Sequence, residues 1–197
     1  MPDPLYLSLW FPSFDETDIM PHVLSVLHQF PFSPQKPGIA NVALHPVSWN
    51  EATILEKKFR PGIAPEAAVL VAADLLHDDY AYVFEAYWDL WWLASAGAPW
   101  ALQPSLVRFI AHGSEFEEGA AEDAGHIQVD FGLDTPFLHE ELELAGEAGG
   151  RVRANVQKLV DFVSKVEKNS GASGRLLWSE SEENLAQKLI ARLQRVQ

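Results

Sequence analysis

Tyr6, Trp10, Tyr87 and Trp91, with the carboxylates of Glu85 and Asp89, occupy alternate positions in two largely apolar segments, 5–11 and 80–92. A period of two belongs to strands. If Leu5, Leu7 and Leu9 with Tyr82, Phe84 and Trp88 turn to one side, these six side chains share the other. Rings flanked by carboxylates stack on sugars or small molecules, or anchor a protein partner. Stacking of RNA bases on a sheet needs arginine and lysine around the rings, and here residues 1–107 carry 12 acids against 4 bases. The rings have a competing use as core. Four exposed aromatics would forgo more than about 10 kcal/mol of burial at roughly 25 cal/mol per Å². Trp10 and Trp91 are therefore expected to be covered by the second half, through the helix from Arg151 or the strand 176–178.

A second constellation joins His112 and His126. Segments 106–112 and 126–133 both alternate and read as the arms of a hairpin. Setting His112 opposite His126 also sets Arg108 opposite Asp130, because partners in an antiparallel pair keep one constant sum of residue numbers. A cross-strand ion pair is expected there. With Glu115 or Glu122 from the intervening loop, the two histidines have the ligand types for a divalent metal, as in a metal-dependent hydrolase, or for sharing a proton. The other histidines (His22, His28, His45, His77, His139) are scattered. The acidic runs 115–123 and 140–147 lack the alternating acids and central glycine of a calcium loop. No phosphate loop, dinucleotide fingerprint or Gly-x-Ser-x-Gly elbow occurs, and a chain without cysteine has no thiolate ligands or thiol nucleophile. No cofactor is implied.

Pattern also supplies the elements that must position these residues. A strand over 5–11 stops at Pro12, and Ile19, Val23, Val26, Leu27 and Phe30 define a helix over 16–30. Strands over 38–47 and 52–59 form a hairpin. Pro65 opens a second helix whose 67–76 run is apolar but for Asp74, so deep burial is expected, Leu70 included. With the strand 80–92 the order is βαββαβ, the ferredoxin-like arrangement of two helices on one face of a four-stranded antiparallel sheet. The uncharged, proline-bearing segment 94–104 reads as a linker between a unit over 1–93 and one over 105–197. The second unit is ββαβα. It has the hairpin, a helix over 151–169, a short strand 176–178, and a last helix capped by Ser179 with Glu182 and carrying Leu185, Leu189, Leu193 and Val196. The fold class is α+β.

Net charge is -14, from 28 acids and 14 bases, and residues 108–150 hold 11 acids and 1 base. Such a field repels phosphate backbones and anionic lipid, which excludes nucleic acid and membrane surfaces as partners. The first residues lack the basic start of a signal peptide, and Gly97, Pro99 and Pro104 break the uncharged stretch 90–107. A soluble, cytoplasmic protein is expected. Three functions stay open: binding or inhibition of a basic protein, capture of a sugar or small molecule on the aromatic face, and metal-dependent hydrolysis at His112 and His126.

Overall fold

The computed structural model describes residues 2–140, 142–180 and 185–194. The order of elements is β1 (Pro4–Trp10), α1 (Ile19–Leu27), β2 (Ile39–Pro46), β3 (Leu55–Lys58), α2 (Pro65–Ala72), β4 (Tyr80–Leu93), β5 (Trp100–His112), α3 (Ala120–Asp123), β6 (Ile127–Leu133), α4 (Thr135–Leu138), α5 (Gly146–Asn169), β7 (Gly174–Ser179) and α6 (Leu185–Gln194). Among the described residues, seven strands make one antiparallel sheet in the order β3-β2-β4-β5-β6-β1-β7. The fold is mixed α+β.

Alternation in the strands sends one set of side chains to a single core. Leu5, Leu7 and Leu9 of β1, Phe84 and Trp88 of β4 and Val129 of β6 are buried there. The helices meet them with stripes spaced by three and four residues, such as Val152, Val156, Leu159, Val163 and Val166 of α5. Trp88 sits at the centre, stacked on Phe30 and Phe131 and meeting Phe162 edge-on. Each such side chain, fully buried, contributes about 1.5–3 kcal/mol.

The first half has the expected βαββαβ order but not ferredoxin-like pairing. A ferredoxin-like sheet is closed by its own four strands. Here β5 and β6 stand between β4 and β1, and β1 takes both its partners, β6 and β7, from the second half. Of the expected linker 94–104, Trp100–Pro104 are strand, paired with Asp89–Leu93, and only the turn around Gly97, at φ +84°, connects them. Trp100 is a good strand former, and through this pairing the sheet runs across the boundary expected between 1–93 and 105–197.

Helix α2 also departs from expectation. It lies at the margin of the helical layer and buries only Ala68, Val69 and Ala72, leaving Leu70 69% exposed. Two turns of helix on one flank of the sheet have a single inward stripe, so an apolar run of this length cannot all be core. At the C-terminus, Glu182, Val196 and the side chain of Leu193 lie outside the described residues.

Candidate functional site

The helices cover one face of the sheet. On the other, strand register carries one row of side chains across all seven strands: Lys58, Asn41, Glu85, Arg108, Asp130, Tyr6 and Trp178. Arg108 Nε donates to Glu85 Oε1 at 3.1 Å, and its Nη1 lies 3.8 Å from Asp130 Oδ2. The facing of Arg108 and Asp130 read from the sequence is present, and Glu85 on β4 is the closer partner. Tyr6 packs on Trp178 at 4.9 Å, and the Trp178 indole N–H donates to Ser8 Oγ at 2.9 Å. Burial, and then the charge of Asp130, raises the Tyr6 hydroxyl above its ordinary value. The neighbouring row, Glu56, Ala43, Val83, Ile110, Gln128, Ser8 and Leu176, is apolar at its centre.

Ala43 stands between Asn41 and His45 on the same side of β2, and its small side chain leaves a notch. The notch opens into a hollow of about 340 Å³ over Ala43, Val83 and Ile110, with Trp49 as one wall and Glu56, Glu85 and Arg108 on its sides. Trp49 reaches it through a sharp turn. Val47 lies at φ +64°, left-handed backbone that a β-branched residue rarely adopts. It is held there by its N–H to Asp79 O (2.7 Å) and by Glu117 N–H to its own carbonyl (2.8 Å). The Trp49 ring then meets His45 at 4.8 Å and Phe116 at 5.0 Å, both edge-on, and stays 41% exposed. Asn41 is only 7% exposed, and among the described residues its Oδ1 has no hydrogen-bond partner; nor has the buried Nδ1 of His45. Burial pushes His45 below the ordinary histidine value, against the pull of Glu56. The hollow is thus rich in hydrogen-bond acceptors.

His112 ends β5 and His126 immediately precedes β6, with His112 N–H donating to His126 O at 2.9 Å. Each ring already has a backbone task. His112 Nδ1 donates to Gly125 O (2.9 Å), and His126 Nδ1 accepts Phe11 N–H (2.9 Å) while stacking on Phe14. Gly125, at φ +101°, lies so close to β1 that a Cβ there would come within 2.9 Å of Leu9 N. Burial pushes both histidines below the ordinary value. Glu115 is exposed, and Glu122 borders a small cavity of about 120 Å³ beside His126. Among the described residues, no three His, Asp or Glu side chains are placed to hold a metal ion.

The aromatic and acidic set divides. Glu85 and Tyr6 belong to the cross-sheet row, and Trp10 lies four residues further along β1, its Nε1 donating to Glu122 O at 3.2 Å and its ring beside Gly174 of β7. Tyr87, Asp89 and Trp91 lie where β4 runs on past β2. Lys36 sits over Tyr87, Lys158 Nζ donates to Asp89 O (2.5 Å), and the Arg151 guanidinium stacks on Trp91 at 3.5 Å. Trp10 and Trp91 are half-buried, beside second-half residues as expected. Asn155 of α5 completes the support: its Oδ1 accepts Trp91 N–H (2.8 Å), and its Nδ2 donates to Trp91 O and Pro136 O (2.9 Å each).

Reading by residue type passes over Asn41, Trp49, Glu56 and Asn155. Their traces in the sequence are the polar, small, polar alternation of Asn41, Ala43 and His45, and one asparagine inside the apolar stripe of α5. Comparison of the chain with protein-family models, curated proteins and solved structures finds no match.

Proposed function

We propose that this chain is a binding protein whose uncovered sheet face docks a basic protein, acting by occupancy of its partner. The observation that supports this most is the cross-sheet row, in which the one arginine is already bracketed by Glu85 and Asp130. Within the row Lys58 and Arg108 offset Glu85 and Asp130, Glu56 in the next row adds a carboxylate, and the face offers rings and amides but no free guanidinium, on a chain of net charge -14. The acidic loop with Glu115, Glu117, Glu118 and Glu122 borders the same end of the sheet, where Trp49 and Trp10 touch it. Complementary charge of this kind raises association rates and rejects acidic competitors without any catalytic motif.

Panning random displayed peptides on the immobilised protein tests the reading, with the Glu85→Gln/Asp130→Asn double variant as counter-target. The recovered peptides are expected to be basic, to bind the double variant at least about tenfold more weakly, and to lose affinity as salt rises. Recovery of neutral or acidic peptides, or equal binding to both proteins, overturns it. Near-ultraviolet dichroism of the double variant shows whether the sheet is intact.

A further inference from the structure

We propose that the hollow beneath Trp49 is a socket for one arginine side chain, an inference that rests on the sheet face being the docking surface for a basic protein. Three independent features point to a guanidinium. The first is an unused acceptor: Asn41 is 7% exposed, lines the hollow, and its Oδ1 has no partner among the described residues. A buried carbonyl oxygen left unpaired costs on the order of 1–3 kcal/mol, and a ligand that donates to it recovers that cost. The buried Nδ1 of His45 stands unpaired at the other end of the notch.

The second feature is the ring. Trp49 is pinned edge-on by His45 and Phe116, and its N–H to Glu117 Oε2 (3.2 Å) fixes its backbone, yet much of its surface is open. A rigid, half-open indole is the preferred stacking partner of a guanidinium.

The third feature is charge. Glu56 and Glu85 line the hollow against Arg108, leaving one net negative charge, and Asp130 lies one strand beyond. Lys58 neighbours Asn41 in register but is exposed at the sheet edge and does not line the hollow. An anionic ligand is disfavoured because Arg108 is already paired. Acceptors set apart around a flat ring suit the five donors of a planar guanidinium better than a compact, strongly hydrated ammonium. The volume, about 340 Å³, is at the small end of ligand sites, which run from about 300 to 1,000 Å³.

The test is a titration of the full-length ¹⁵N-labelled protein with N-acetyl-arginine methylamide, followed by amide and indole resonances. The lysine and citrulline analogues serve as the ammonium and uncharged controls. The Trp49 indole N–H and the Ala43, Val83 and Ile110 amides are expected to shift saturably with the arginine compound. The lysine analogue should bind at least about threefold more weakly, and citrulline should leave them unmoved. Trp49→Ala and Asn41→Ala should each abolish saturation, while Asn41→Asp, which keeps an acceptor, retains it. Unchanged resonances from α5 and β7 show that a variant is folded. Shifts that are diffuse and unsaturable, or that survive in Trp49→Ala and Asn41→Ala, overturn the socket. If basic peptides still bind both alanine variants as well as the parent, the socket is wrong and the docking face stands. If no basic peptide binds the parent, the docking face itself fails, and the partner-borne arginine fails with it.

Discussion

Asn155 shows how much one side chain can hold. Its amide satisfies a strand end that has outrun its neighbour, taking the place of a missing β-strand for Trp91 and tying in Pro136. Asn155→Leu keeps the volume but leaves Trp91 N–H, Trp91 O and Pro136 O unpaired beneath α5. Each stranded backbone group carries its own desolvation cost, so the variant is expected to lose about 2–4 kcal/mol in urea denaturation. A loss below about 1 kcal/mol would mean that water replaces the amide and that the arm does not depend on α5. At this scale the sequence was informative where chemistry follows register. The Arg108–Asp130 facing came from a sum of residue numbers and holds. It was silent on Asn155 and Trp49, because their roles depend on contacts with residues more than sixty positions away.

At the scale of elements, α2 shows the limit of reading burial from apolar runs. Leu70 points outward while Ala68 is fully buried. Leu70→Asp is therefore expected to change stability by less than about 1 kcal/mol, as surface substitutions do. Ala68→Asp places an unpaired carboxylate against the core and should cost several kcal/mol. Comparable melting shifts for the two variants would show that the helix is not seated on one stripe. Strand and helix identities were largely legible, because periods of two and of three to four survive in one dimension. Their ends were less so: β3 covers only Leu55–Lys58, and Trp100–Pro104 proved to be strand because pairing with β4 outweighs the proline signal.

For the whole molecule, the titrating rings set a direction with pH. Burial lowers His45, His112 and His126, so each binds fewer protons folded than unfolded between its folded value and the ordinary one near 6.5. Stability is then expected to fall as pH drops from about 6.5 toward the folded values, and to hold above that. Asp134, raised chiefly by burial, acts in the opposite sense at more acid pH. Urea midpoints measured between about pH 8 and about pH 5 should show the decline, and a flat profile would mean that these rings titrate as they do in the unfolded chain. Sheet order was the part least visible in advance. Apolar alternation specifies which face of a strand is buried but carries no label for its neighbour, and β1 could be matched to several strands by pattern alone. That placement has a consequence during synthesis. β1 leaves the ribosome well before its two neighbours, which end at residues 133 and 179. At roughly 5–20 residues per second the nascent chain carries β1 without either pairing partner for on the order of ten to thirty seconds, a window in which the sheet cannot yet hold Leu5, Leu7 and Leu9 in place.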